Sequence, residues 1–73
     1  MKLRERLDAL VEDMLAGGIR MDEARRELER RFIIQALGQA DGSLTEAAAK
    51  LGMHRNTLGR KLAEYRIRRQ PRR

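Results

Sequence analysis

Residues 44–65, LTEAAAKLGMHRNTLGRKLAEY, constrain the fold of this chain more than any other segment. Ser43 and Glu46 have the spacing of a capping box, in which each side chain accepts a backbone N–H group of the other residue at a helix start. Gly52 follows the apolar residues of this short helix, at a position where helices commonly end in a left-handed backbone conformation. The pattern therefore predicts a short helix, a tight turn at Gly52 and a second helix.

The second short helix is amphipathic and cationic. It is predicted to begin at His54 or Arg55 and carries Leu58, Leu62 and Tyr65 at the spacing of one helix face. Two alanines in the preceding helix allow the second helix to approach closely, as a helix-turn-helix motif requires. We therefore interpret the segment as a helix-turn-helix.

Positive charge is concentrated in the last part of the chain. Residues 1–53 hold nine Lys/Arg and ten Asp/Glu, whereas residues 54–73 hold eight basic residues and one acidic residue, Glu64. The formal net charge of +6 therefore comes from the second short helix and the tail behind it. This distribution is typical of a surface that binds nucleic-acid phosphates. A tail that only improves solubility is the alternative, and the coincidence with a helix-turn-helix pattern disfavours it.

Length and composition exclude several classes of protein. A chain of 73 residues is predicted to be one domain, too small to be very stable through its own core. It has no cysteine and one histidine, so disulfides and thiolate or histidine-cluster metal sites are excluded. No apolar run approaches the roughly 20 residues that cross a membrane, and charges interrupt the N-terminus where a signal peptide would be apolar. We expect no enzyme activity, metal, cofactor, small-molecule substrate or membrane partner, and a cytoplasmic location.

The N-terminal half predicts two longer helices. The first covers residues 3–16 and ends at two glycines; its apolar stripe consists of Leu3, Leu7, Leu10 and Met14. Asp22 is the predicted N-cap of the second, which runs from about 23 to 39. The second half of that helix, FIIQAL, is apolar on nearly all sides and so must have neighbours on more than one side.

In so short a chain, one of those neighbours is inferred to be a second copy. The sequence thus predicts a homodimer of four-helix subunits. The predicted fold class is all-α, because no segment shows the period-two pattern of a strand. The residues assigned to the dimer core are Leu7, Leu10, Met14, Leu28, Phe32, Ile33 and Leu37.

The motif resembles the Fis-type helix-turn-helix family, that of the nucleoid protein Fis and of the C-terminal DNA-binding domains of NtrC-type enhancer-binding activators. The resemblance covers residues from about 19 to 67. It rests on three blocks, at 41–48, 51–58 and 60–62, together with Tyr65. The chain departs from the family at Gly59, where relatives often carry a bulky or basic residue.

The resemblance implies a single four-helix Fis-like domain over residues 1–73. In it, residues 3–39 form the dimerisation helices, residues 43–66 the helix-turn-helix and residues 67–73 a basic tail. It implies a homodimer that inserts a recognition helix of each subunit into the major groove of double-stranded DNA and bends it. A transcriptional regulator or nucleoid protein in the bacterial cytoplasm is the implied role.

Contacts to DNA bases and to the DNA backbone are assigned to residues of the same motif. The base-reading positions of the family fall on His54 and Arg55, and the guanidinium of Arg55 matches the two acceptors of guanine. The alternative to a DNA contact is that His54 only caps its helix. For Thr57 the alternative is that it is a local cap partner. The residues assigned to the DNA backbone are Ser43, Thr45, Asn56, Thr57, Arg60 and Lys61.

A different class of function is also compatible with the sequence. The apolar stripe of the first helix fits a helical dimer that docks a protein partner, in which the basic tail is incidental.

Overall fold

The computed structural model describes residues 2–68, which form four α-helices and no strand. The helices are α1 (Leu3–Ala16), α2 (Met21–Gln39), α3 (Leu44–Leu51) and α4 (Arg55–Tyr65). This architecture confirms the all-α fold class with a C-terminal helix-turn-helix. Of the basic tail predicted at residues 67–73, residues 69–73 lie outside the described part. None of the helices in residues 2–68 is long and apolar enough to cross a membrane.

Helix α2 begins earlier than the sequence indicated, and the prediction of Asp22 as its N-cap is wrong. Arg20 is the N-cap, with an extended backbone, and its N–H group donates to Glu23 Oε1 at 3.1 Å. A carboxylate three residues after the N-cap can accept the N–H group of the N-cap residue even when that residue has no capping side chain. Asp22 lies in the first turn, where its charge is favourable to the helix dipole.

All four helices end in the same way, in a residue with a left-handed backbone conformation. These residues are Gly18, Asp41, Gly52 and Arg66. At the end of α3, Gly52 N–H donates to Ala49 O at 3.2 Å and Met53 N–H donates to Ala48 O at 3.0 Å. This pair of bonds is a Schellman motif, which satisfies carbonyls of the last turn. It also brings Met53 against the core, and so sets the direction in which α4 begins.

The core lies between the second half of α2 and the two helices of the helix-turn-helix. Ile33 and Leu58 are its largest fully buried side chains. Four of its members are alanines, whose small side chains allow the helix backbones to approach closely. The buried residues are Ile33, Ala36, Leu37, Ala40, Ala47, Ala48, Leu58 and Leu62.

Helix α1 contributes nothing to this core, because none of its residues is buried. Its large apolar side chains are exposed: Leu3, Leu7, Leu10, Val11 and Leu15. An open groove of about 720 Å³ lies between α1, the outer side of α2 and the end of α3, and Leu10, Leu28, Phe32 and Leu51 line part of it. The large exposed apolar side chains of the described residues therefore belong to α1, α2 and the turn between them.

Gly52→Ala and Gly59→Ala are expected to have opposite effects on the free energy of unfolding. At both positions an added methyl group meets no atom within 4 Å, so a clash explains neither effect. Gly52 has a φ of 74°, which costs an L-residue about 1–2 kcal/mol. Gly59 lies inside α4, where alanine is favoured over glycine by about 1 kcal/mol. Urea unfolding of the two variants measures this, and shifts of the same sign would contradict the turn geometry.

Candidate nucleic-acid interface

The start of α3 is capped by Ser43. Its Oγ accepts the Glu46 N–H group at 3.3 Å, as the capping box predicts. The reciprocal bond of the box is not formed, because Ser43 N–H donates to Ala40 O at 2.9 Å instead. Thr45 is exposed in the first turn, next to helix N–H groups that have no partner within the helix. The start of α3 therefore presents donors that suit a phosphate group.

The start of α4 is capped by His54. Its Nδ1 accepts the Asn56 N–H group at 3.0 Å. An Nδ1 atom that accepts a hydrogen bond carries no proton, so the ring N–H group of His54 is at Nε2. His54 therefore caps α4 through Nδ1. Its Nε2–H group stays available to donate to a base or a phosphate.

The outer face of α4 is polar and cationic. Leu58 and Leu62 are buried and define the inner face of the helix. Asn56 and Arg60 lie on the opposite side, since an α-helix repeats every 3.6 residues, and both are exposed. Arg55 is exposed at the first position of the helix. Three of the residues assigned to DNA thus share the end or outer face of one helix.

Thr57 and Lys61 lie on the flank of α4 and are half-buried. The sequence predicts Lys61 as a phosphate contact, but the structure places its ammonium group on a carboxylate of the same subunit. Lys61 Nζ lies 2.7 Å from Glu29 Oε1, and Tyr65 OH donates to that same oxygen at 2.7 Å. The side chains of Lys61 and Glu29 are 28% and 29% exposed. The charge of Lys61 is therefore compensated within the subunit.

This contact shifts the pKa values of all three side chains. The hydrogen bond from Lys61, followed by that from Tyr65, holds the pKa of Glu29 below its usual value. The Glu29 carboxylate in turn raises the pKa values of Lys61 and Tyr65. At neutral pH, the contact among Glu29, Lys61 and Tyr65 contributes its full stabilisation of the folded state. It is lost as the pH falls through the lowered pKa of Glu29, or rises through the raised pKa of Tyr65.

A second contact joins α2 to the end of α4. The guanidinium carbon of Arg26 lies 5.9 Å from the centre of the Tyr65 ring, in the range of a cation–π contact. Neither contact is predictable from spacing in the sequence. Glu29 and Lys61 are 32 residues apart, and no helical spacing pairs residues at that separation.

The residues assigned to a dimer core fall into two groups. Ile33 and Leu37 are buried within the single subunit, at 0% and 4% exposure, so they have almost no surface left for a second copy. The other members lie outside this core: Leu7, Leu10, Leu28 and Phe32 are exposed, and Met14 is half-buried. Only this second group presents apolar surface beyond the subunit.

A short helix, a turn through Gly52 and a cationic helix packed on a supporting helix define a helix-turn-helix protein. The family model described as "Bacterial regulatory protein, Fis family" matches residues 24–65, more than half of the chain. The chain belongs to the Fis family of bacterial regulatory proteins. This confirms the resemblance noted in the sequence.

Two proteins of Xylella fastidiosa, both named Fis-like DNA-binding protein, are similar to the chain. The protein of strain Temecula1 is 45% identical over 40 residues, which cover 55% of this chain and 44% of the relative. The protein of strain 9a5c is 44% identical over 39 residues, which cover 53% of this chain and 43% of the relative. The matched segment thus spans less than half of each relative. A comparison with solved structures gave no match.

Proposed function

We propose that this protein is a homodimeric regulator that binds double-stranded DNA through α4. The observation that carries the proposal is the exposed cationic end and outer face of α4, with Arg55, Asn56 and Arg60, in a helix-turn-helix of the Fis family. The relatives named DNA-binding proteins support it. The role is that of a transcriptional regulator or nucleoid protein in the bacterial cytoplasm.

The roles of the individual residues follow from their places on the motif. Arg55 reads a guanine through a bidentate pair, and His54 contributes its Nε2–H group to a base edge. The remaining contacts fix the position of the protein on the DNA without reading its sequence. They come from Ser43, Thr45, Asn56, Thr57 and Arg60, and from Lys61 when it is released from Glu29.

The exposed apolar surface of α1 and α2 supports the homodimer. An isolated helix as short as α1 is marginal in water, since helices below about 12–15 residues rarely persist without packing. Large contiguous apolar patches on small proteins usually mark an interface. A second copy seated on α1 and the outer side of α2 covers this surface and leaves both α4 helices free. The family resemblance further implies that the DNA bends, because the two recognition helices of the dimer lie closer together than one helical turn of DNA.

Phe32→Asp is expected to convert the dimer into a folded monomer at micromolar concentration. Phe32 is 60% exposed in the single subunit, so the charge is solvated in the monomer and costly in the dimer interface. Sedimentation velocity measures the change, and circular dichroism should retain the helical signal of α2, α3 and α4. Ala63→Asp adds the same charge at an exposed position outside the groove and should stay dimeric. A wild-type protein that is already a folded monomer would contradict the dimer.

Binding to duplex DNA should weaken steeply with salt. Each neutralised phosphate contributes about −0.9 to the slope of log K against log salt concentration. Phosphate contacts from two subunits and their basic tails give an expected slope steeper than about −5. Fluorescence anisotropy with a labelled duplex, repeated over a salt series, measures the slope. A slope near zero would contradict the charge argument.

The alternative function is a helical module that docks another protein through its apolar face. The exposed stripe of α1 is the observation that favours it. The two functions differ in the salt series: a folded dimer that does not bind duplex DNA at low salt leaves the interaction module as the better account.

A further inference from the structure

We propose that Glu29 competes with DNA phosphate for Lys61 and thereby limits how strongly the protein binds DNA of any sequence. The inference rests on the proposed DNA-binding function and adds a residue of α2, outside the helix-turn-helix, that controls it. Its physical basis is the contact that joins Glu29 of α2 to Lys61 and Tyr65 of α4.

The carboxylate of Glu29 is held in place by more than Lys61. Tyr65 OH donates to Glu29 Oε1 at 2.7 Å, and Arg26 lies against the ring of Tyr65. The side chain of Glu29 is 29% exposed, so this acceptor is partly shielded from water. Lys61 therefore meets a carboxylate that Tyr65 already orients, rather than a freely moving one.

Lys61 differs in this respect from Arg60, its neighbour in sequence. Arg60 is exposed on the outer face of α4, whereas the Lys61 side chain is 28% exposed and lies on the flank that faces α2. A cation that is already paired with a carboxylate has to lose that partner before it can bind a phosphate. We therefore expect Lys61 to add little to the salt slope while Glu29 is charged.

Glu27 provides a matched comparison on the same helix. Its carboxylate pairs with Arg31, one turn further along α2, and both side chains are well exposed, at 58% and 63%. Arg31 lines the groove beside α1, on a different side of α2 from the Lys61 contact. Neutralising Glu27 or Glu29 changes the net charge equally, but only the second change releases Lys61.

The test measures duplex-DNA affinity over a salt series for Glu29→Gln and Glu27→Gln. Glu29→Gln should steepen the slope by about 0.9 per subunit, one added phosphate contact each, relative to Glu27→Gln. It should strengthen binding to preferred and random sequences by the same factor, since phosphate contacts carry no sequence information. Adding Lys61→Gln to Glu29→Gln should remove the gain. Equal slopes for Glu29→Gln and Glu27→Gln would overturn the proposal.

A second measurement tests the contact without DNA. The chain has one tyrosine and no tryptophan, so the absorbance of tyrosinate reports Tyr65 alone. Glu29, Glu64, Lys61 and Arg26 are the charged groups that act on this ring. Glu29→Gln should lower the pKa of Tyr65 toward its ordinary value, whereas Glu27→Gln should not. Unchanged titration in Glu29→Gln would overturn the proposal even in a protein that binds DNA. Absence of DNA binding in the wild type would instead overturn the proposed function, with the Tyr65 contact still measured.

Discussion

Leu37→Asp is expected to unfold the helix-turn-helix at neutral pH. Leu37 is 4% exposed and belongs to the core that α2 shares with α3 and α4. A carboxylate at this position has no partner, and burying an unpaired charge costs far more than burying a neutral polar group. Small domains are stable by only about 5–15 kcal/mol, so the loss removes most of the folded population. Circular dichroism should show loss of helix, and DNA binding should disappear with it.

Phe32→Asp is the control for this result, because it places the same charge on the same helix. Phe32 is exposed, whereas Leu37 is buried, so the Phe32→Asp variant should keep α2, α3 and α4 folded. If Leu37→Asp instead gave folded monomers, Leu37 would act at the dimer interface and not in the core between α2, α3 and α4.

Arg55→Ala is expected to weaken the best DNA sites most and to erase the base preference at two symmetric positions. Arg55 is exposed at the first position of α4, the part of a recognition helix that enters the groove deepest. Each lost bidentate pair removes about 1–3 kcal/mol of discrimination, and a dimer loses two. Competition of the best site against scrambled duplexes measures the change.

Arg60→Ala is the comparison for Arg55→Ala. Arg60 is exposed on the outer face of α4 and is assigned to phosphate, so its loss should weaken all sequences by the same factor. Uniform losses in both variants would make Arg55 a backbone contact. The protein would then select DNA by its shape and deformability rather than by base edges.

Local signals in the sequence were sufficient to predict the helix-turn-helix. The N-cap at Ser43, the left-handed turn at Gly52 and the inner face formed by Leu58 and Leu62 each depend on residues close together in the chain. The bounds of α1 follow in the same way from its apolar spacing and the glycines after it. Such features are predictable because neighbouring residues alone determine them.

Contacts between distant residues were not predictable in this way. The apolar second half of α2 shows that several neighbours exist, but not that α3 and α4 cover Ile33 and Leu37 while Phe32 stays exposed. The pairing of Lys61 with Glu29 depends on the packing of α4 against α2. A lysine on a cationic helix therefore looks like a phosphate contact until the position of the other helix is known.

The most direct test of base reading by a dimer through Arg55 is a selection of bound sequences from random duplex DNA, with the wild-type protein and Arg55→Ala in parallel. A dimer that reads guanine through Arg55 should select a two-fold symmetric site with one guanine in each half, and Arg55→Ala should lose both guanines from the selected site. A folded wild-type protein that enriches no sequence, or an Arg55→Ala variant that enriches the same two guanines, would contradict base reading through Arg55.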